Sequence, residues 1–249
     1  MVDTHCHLFK EYYNDISDVI KRSLKKDVNI IIVNGYDMIS NKEVLELVTK
    51  YDNVHGTLGF YPNYISDALN EDLKWLEDNI NCKKILGIGE IGLDYYYDIK
   101  DKQKQINLFK KQLDIALKYN KPVIIHSRDA IKDTYDILKE KGNKGILHCY
   151  SGSVEMAHKF NQLGIYLGVG GIITFRNAKK LCEVVKNVDL KWIVLETDSP
   201  YLTPDPFRNK KNEPCYIREI CNKIAEIKGV SSKEVENITT SNVYQLFDF

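Results

Sequence analysis

The feature that most constrains the fold is a regular alternation of short apolar runs with amphipathic segments. Eight runs rich in β-branched residues recur along the sequence, separated by stretches with helical periodicity. The segment Asp101–Tyr119 is predicted as one helix, because its apolar residues recur every three to four positions. The expected strands are Met1–His5, Asn29–Asn34, Val54–Gly59, Ile85–Glu90, Val123–His126, Gly145–His148, Tyr166–Gly170 and Trp192–Glu196.

This alternation predicts an α/β fold of the (β/α)8, or TIM-barrel, type. Runs such as Ile30–Val33 and Val123–Ile125 are continuously apolar, as in parallel strands that are covered on both faces. Eight strand–helix units in 249 residues match the size of such a barrel. A doubly wound open sheet is the alternative, but it usually carries a glycine-rich phosphate turn after an early strand, and none is seen. We therefore expect one barrel domain over residues 1–249.

A barrel of this kind carries its active site at the carboxyl ends of its strands. Five of the expected strands end in side chains that bind metals or transfer protons. These side chains are His5 and His7 at strand 1, Glu90 at strand 4, His126 at strand 5, His148 at strand 6 and Asp198 at strand 8. The remaining two histidines, His55 at the start of strand 3 and His158 in a helical segment, are expected to take no part.

Six such side chains exceed the need of a single catalytic zinc ion, which uses three protein ligands and a water molecule. They suit a site with two divalent ions about 3.5–4 Å apart, bridged by a carboxylate. Glu90 is the expected bridge, since Gly87, Gly89 and Gly92 around it leave room for close approach to its carboxylate.

The histidines are expected to divide into two pairs. His5 and His7 stand at positions i and i+2, so an extended strand directs both to one face and toward one ion. His126 and His148 are expected to hold the other ion. Asp198 is expected to ligate the first ion and to act as general base on the attacking water.

Composition limits the partners of the chain. Thirty-five basic and thirty-five acidic residues cancel, so binding of DNA must be weak and must come from a local site or a metal. The six scattered cysteines are typical of free thiols in a reducing compartment. No apolar run approaches the ~20 residues of a membrane span, and cleavage of a leader would remove His5 and His7. We expect a cytoplasmic protein without a membrane or obligate protein partner.

Five ordered segments resemble the signatures of the TatD-type metal-dependent deoxyribonucleases, and the likeness runs from residue 3 to the carboxyl terminus. The segments are Thr4–His7, Gly89–Tyr95, Pro122–Arg128, His148–Gly152 and Glu196–Leu202. The resemblance implies a TIM-barrel hydrolase with two divalent metal ions, the same six ligands, and a DNA strand processed from its 3′ end. Four imidazoles favour Zn, Co or Mn, whereas nuclease turnover in the family is usually linked to Mg or Mn.

Substrate-binding residues are less clearly marked. The family commonly has Gly-x-His-Pro-His after strand 3, where this chain has Gly59-Phe60-Tyr61-Pro62-Asn63, so Tyr61 can offer only a neutral hydrogen bond. Arg208 lies in a loop that resembles the family's arginine-rich loop and could clamp a phosphate, and Arg128 ends strand 5. We expect these three residues to contact substrate. The run Tyr95–Tyr97 could stack bases or merely cover the barrel mouth.

Metal-dependent hydrolysis of esters, above all 3′–5′ exonucleolytic cleavage of DNA, is the favoured function, and three alternatives stay open. A cyclic-amide or lactone hydrolase often bridges its metals with a carbamylated lysine on strand 4, where this chain has Glu90. A deacylase acting on the ester of an aminoacyl-tRNA, such as a D-aminoacyl-tRNA, would use the same metal chemistry. A non-catalytic metal-binding scaffold would need no general base such as Asp198.

Overall fold

The computed structural model describes residues 1–64, 69–96 and 102–249. Within these ranges eight strands pair in sequence order, each parallel to the next. The strands are β1 (Val2–Cys6), β2 (Ile30–Asn34), β3 (Val54–Leu58), β4 (Ile85–Asp94), β5 (Val123–Arg128), β6 (Gly145–Leu147), β7 (Ile165–Val169) and β8 (Ile193–Leu195). This nearly closed barrel with intervening helices confirms the predicted (β/α)8 fold.

The helices of the described ranges alternate with the strands until β8, which two helices follow. They are α1 (Ile16–Leu24), α2 (Met38–Lys50), α3 (Leu69–Asn79), α4 (Lys102–Lys118), α5 (Ile131–Lys141), α6 (Val154–Gln162), α7 (Lys179–Asn187), α8 (Ile217–Lys228) and α9 (Ser232–Leu246). The predicted helix Asp101–Tyr119 is confirmed as α4, although Asp101 lies outside the described residues. None of these helices combines the length and hydrophobicity needed to cross a bilayer.

Local sequence signals explain where several helices begin and end. Asp37 opens α2 with a capping box, in which its carboxylate accepts from the backbone N–H of Ser40 at 2.7 Å. Ser153 caps α6 by accepting from the N–H of Met156 at 3.2 Å. At the other end of α5, Gly142 adopts a left-handed conformation with φ 79°, which terminates the helix at little steric cost.

The inner face of the barrel changes character along the strands. An apolar cluster includes Leu86 of β4, Ile124 of β5 and Ile146 of β6, and Phe247 after α9 packs into it. Alternate residues of a strand share a face. The residues that follow Ile124 and Ile146 on the same face are the predicted ligands His126 and His148. The same inward-facing positions therefore supply an apolar layer at one end and polar side chains at the other.

Closure of the barrel joins its first and last strands. The backbone N–H of His7 donates to the carbonyl of Ser199 at 2.7 Å, and the N–H of Asp198 donates to the carbonyl of His5 at 2.8 Å. Cys6 and Ser199 form a parallel β-bridge at the same place. These contacts hold the residues after β8 beside the end of β1, although most of the chain separates them in sequence.

Strand β4 is longer than the sequence predicts and carries Glu90 in its middle instead of at its end. It stays paired with β5 as far as Asp94 and Arg128. Gly92 permits this pairing, because a Cβ atom there would lie 2.0 Å from the carbonyl oxygen of His126. The room at Gly92 is thus used by the backbone of β5, which sets His126 close to Glu90.

His55 provides a test of the packing at the base of the barrel. Its ring lies against Phe249 with 5.0 Å between centroids, and burial, with the charge of Lys84, lowers its pKa from 6.5 to about 4. At pH values between about 4 and 6.5, His55 binds a proton in the unfolded chain but not in the folded protein. The free energy of unfolding therefore falls as the pH drops from 6.5 toward 4. In urea unfolding, the free energy of unfolding of wild type should fall as the pH is lowered from 6.5 to 5. For His55→Gln we expect this decrease to be smaller by about 1 kcal/mol, after allowance for the partial exposure of His55.

The matched control is His158→Gln, on the exposed face of α6, which should follow the wild-type pH dependence. Equal pH dependence for His55→Gln and wild type would contradict this account of the packing.

Candidate metal centre

The six predicted ligands converge at the carboxyl end of the barrel. Their nitrogen and oxygen atoms form three overlapping groups, and within each group all ligand atoms lie within 4.8 Å of one another. The groups are His5, His148 and Asp198; His5, His7 and Glu90; and Glu90, His126 and His148. Such clusters of imidazole and carboxylate can hold divalent metal ions.

Glu90 occupies the middle of this arrangement. Its Oε1 lies 3.0 Å from His126 Nδ1 and 3.1 Å from His148 Nε2. Its Oε2 lies 3.5 Å from His5 Nε2 and 3.6 Å from His7 Nε2. Each carboxylate oxygen therefore faces a different pair of histidines, as a bridging ligand requires.

Asp198 lies on the side of His5 and His7. Its Oδ1 is 3.7 Å from His5 Nε2 and 3.5 Å from His7 Nε2. The backbone of Asp198 has φ 53°, a left-handed conformation that is costly for a residue with a side chain and that often occurs at functional sites. The hydrogen bond to the carbonyl of His5 fixes this turn.

The hydrogen bonds of two histidines test whether the site suits a metal. His7 Nδ1 lies 3.0 Å from the carbonyl oxygen of Asn34, which can only accept, so Nδ1 carries the hydrogen and the lone pair of Nε2 faces the cluster. His126 Nε2 lies 3.3 Å from the Asp94 carboxylate, so its Nδ1 lone pair points toward Glu90. Both tautomers direct a ligand atom inward, and the donor set fits divalent ions.

Electrostatics keep the two acidic ligands ionised despite their burial. Burial opposes ionisation of Glu90, but the positive charge of His148 and the close approach of the other imidazoles outweigh it and hold its pKa well below the usual value. Burial also opposes ionisation of Asp198, and the nearby imidazole of His7 helps to lower its pKa. An ionised carboxylate is the form that binds a metal.

His126 is supported by a network that the sequence analysis did not identify. The Tyr61 hydroxyl donates to Asp94 Oδ2 at 2.6 Å and lies 3.0 Å from His126 Nε2. Gln105 fixes Asp94 in turn, accepting from its N–H at 2.9 Å and donating to its carbonyl at 2.8 Å. Gln105 also donates to Asn63 at 2.8 Å. Both residues that replace the family's histidines thus belong to the support of a ligand.

Glu196 is a second supporting residue that the sequence analysis did not single out as functional. Its fully buried carboxylate accepts from the N–H of Cys149 at 2.6 Å and lies 3.8 Å from His148 Nδ1. Gly168 makes room for it, since a Cβ atom there would lie 2.2 Å from Glu196 Oε2. This buried carboxyl group is positioned behind the ring of His148.

A cavity of about 720 Å³ opens over the cluster, and four tyrosines help to line it. They are Tyr12, Tyr36, Tyr61 and Tyr201. The sequence had drawn attention to Tyr95–Tyr97 instead. Tyr95 donates to Asp133 at 2.8 Å, Tyr96 packs under Arg128, and neither lines the cavity, while Tyr97 lies outside the described residues.

The two predicted arginines are placed differently. Arg128 lines the cavity, with its guanidinium 3.7 Å from the centroid of the Tyr96 ring. Arg208 is not among the cavity residues: its guanidinium lies 3.8 Å from the centroid of Phe175 and donates to the carbonyl of Thr203 at 2.9 Å. Contact of either arginine with a phosphate stays a prediction.

Comparison with known proteins identifies the family. A family model described as TatD related DNase matches residues 2–248. The chain belongs to this family. The uncharacterized metal-dependent hydrolase YabD of Bacillus subtilis is 41% identical, over 99% of this chain and 98% of that protein. YcfH of Escherichia coli, with the same description, is 36% identical over 99% and 95%.

A solved structure of a TatD family homologue agrees with the architecture. YjjV of Escherichia coli superimposes with a TM-score of 0.94 at 31% identity, over 100% of this chain and 98% of that one. The family match and the converging ligands together make the chain a metal-dependent hydrolase of the TatD family. The resemblance seen in the sequence is thereby confirmed.

The support of His126 yields a prediction about metal affinity. Asp94→Asn removes the negative charge that fixes the His126 tautomer, and loss of such a supporting carboxylate typically costs about 10- to 100-fold in metal affinity. We expect a decrease of about 10-fold for Zn²⁺, measured by competition with a chromophoric chelator.

Asp133→Asn is the matched control, because Asp133 also accepts a tyrosine hydroxyl but contacts no predicted ligand. Unchanged zinc affinity of Asp94→Asn, with the control also unchanged, would show that Asp94 does not orient His126.

Proposed function

We propose that this metal-dependent hydrolase is a 3′–5′ exodeoxyribonuclease, which hydrolyses phosphodiester bonds of DNA with two divalent metal ions. The observation that supports this most strongly is the position of Glu90, with one carboxylate oxygen toward His5 and His7 and the other toward His126 and His148. A carboxylate shared between two ligand sets is typical of two-metal hydrolases, which stabilise both oxygens of an in-line displacement.

In this proposal His5, His7 and Asp198 hold one ion, His126 and His148 hold the other, and Glu90 bridges them. The ions are Zn, Mn or Mg, and when bound they acidify water and neutralise charge on the phosphate.

Asp198 is proposed as the general base. Its side chain is 13% exposed and lines the cavity, so water and substrate can reach it. It accepts a proton from water as the water oxygen bonds to phosphorus. The bond from phosphorus to the 3′ oxygen of the remaining strand then breaks, and that oxygen takes up a proton. The histidine ligands keep Asp198 ionised and therefore ready to accept.

Several features of the cavity favour a phosphodiester over a cyclic amide. Glu90 stands where many amide hydrolases of this fold have a carbamylated lysine. Arg128 brings a positive charge to the cavity wall. The hydrogen of the Tyr61 hydroxyl is already donated to Asp94. Tyr61 lines the cavity, and we still propose that it contacts the substrate. Zero net charge makes the binding of DNA weak and transient.

A direct test is hydrolysis of single-stranded DNA by the metal-loaded protein. We expect mononucleotides to be released from the 3′ end, and Asp198→Asn to lower kcat by about 10²- to 10⁴-fold because the general base is lost. Asp136→Asn, on the exposed surface of α5, is the control and should retain full activity. Metal-dependent cleavage that persists in Asp198→Asn would contradict the assignment of the base.

The substrate class is tested by offering an aminoacyl-tRNA and a dihydropyrimidine in parallel. If DNA stays intact, hydrolysis of the aminoacyl-tRNA would identify the protein as an ester deacylase, and hydrolysis of the dihydropyrimidine would identify it as a cyclic-amide hydrolase. Full metal loading without turnover of any of the three would identify a binding scaffold.

A further inference from the structure

The structure assigns a role to an aromatic wall formed by Tyr12, Tyr36 and Tyr201, which we call the tyrosine wall. We infer that this wall is the subsite for the nucleobase of the 3′-terminal nucleotide, with Tyr201 as the ring on which the base stacks. The inference rests on the proposed nuclease function and adds to it a determinant of substrate recognition.

The tyrosine wall borders the His5–His7 side of the metal centre directly. The ring of Tyr36 lies 5.4 Å from the ring of His7, centroid to centroid, and that of Tyr201 lies 6.3 Å away. The N–H of Tyr201 donates to the carbonyl of Asp198 at 2.9 Å. The backbone of Tyr201 is thus hydrogen-bonded to that of the proposed general base, and both side chains line the same cavity.

The hydroxyl groups of the tyrosine wall are used by one another. Tyr201 donates to the Tyr12 oxygen at 3.0 Å, the Tyr12 and Tyr36 oxygens lie 3.0 Å apart, and Tyr36 donates to Glu11 at 2.7 Å. This chain of hydrogen bonds fixes the three rings before any substrate binds. Because the polar atoms are occupied, the wall offers ring surface rather than hydrogen bonds to the cavity.

Tyr201 presents this ring surface openly. It is 49% exposed although it lines the cavity, and the apolar side chains of Ile172 and Leu202 line the cavity with it. A fixed, exposed aromatic ring is a stacking platform for a planar group, and nucleobases are such groups.

The far side of the cavity has a different character. Ser127, Arg128 and Ser151 line it with polar and cationic groups, on the β5 and β6 side of the metal centre. A strand of DNA presents a flat apolar base on one side of its terminal phosphodiester and a charged backbone on the other. The two walls match these two sides, so the terminal base belongs on the tyrosine wall and the preceding backbone near Arg128.

The test compares two ligands that differ only by the base, thymidine 5′-monophosphate and 2-deoxyribose 5-phosphate. Binding to the metal-loaded protein is measured by isothermal titration calorimetry. We expect the nucleotide to bind on the order of 10-fold more tightly than the sugar phosphate. Tyr201→Ala and Tyr201→Leu should both lose this preference, Tyr201→Phe should keep most of it, and affinity for the sugar phosphate should not change.

Tyr244→Ala, which removes an exposed tyrosine of α9, is the control and should behave as wild type. Equal binding of the two ligands by wild type, or a preference that survives in Tyr201→Leu, would overturn the inference while leaving the nuclease proposal intact. Failure of the wild-type protein to bind either phosphate would contradict the nuclease proposal itself and the inference with it.

Discussion

The buried carboxylate of Glu90, enclosed by four imidazoles, is the interaction on which the arrangement of the site depends. An ionised carboxylate without partners inside a protein would be costly, and here the histidines of β1, β5 and the end of β6 provide the compensation. Because each oxygen faces a different pair, the position of Glu90 is consistent only with a barrel in which these strands are correctly placed. The fold and the site therefore specify each other: closure of the barrel brings the imidazoles together, and their convergence is what makes a buried Glu90 tolerable.

Closure of the barrel has a chemical consequence as well as a structural one. The hydrogen bonds between the residues after β8 and the end of β1 carry Asp198 to the two histidines at the start of the chain. Asp3, fully buried in the same seam, accepts from the hydroxyl of Thr197 at 2.6 Å, and burial raises the pKa of its carboxyl group to about 8. The proposed general base thus owes its position to the contact that completes the barrel.

The sequence was sufficient for the barrel and for the convergence of the six predicted ligands. Strand order determines which residues meet at one rim, and alternation places His5 and His7 on one face. The sequence was insufficient for groups that meet only through tertiary contacts. Tyr12 and Tyr201 share a hydrogen bond across 189 positions, and no local pattern marks them as neighbours. Asp94 did stand in a recognised motif, but its role depends on Gln105 of α4. The contacts of Arg208 with Phe175 and Thr203 depend on a loop conformation that the composition of the sequence does not predict.

The central claim is that one carboxylate joins two metal ions, and Mn²⁺ binding tests it most directly. Titration of metal-free protein followed by electron paramagnetic resonance gives both the number of ions and their magnetic coupling. The account predicts two Mn²⁺ per chain with the exchange-coupled spectrum of ions about 3.5–4 Å apart, and loss of that coupling in Glu90→Gln. A single ion per chain, or two ions with the spectrum of isolated centres, would contradict it.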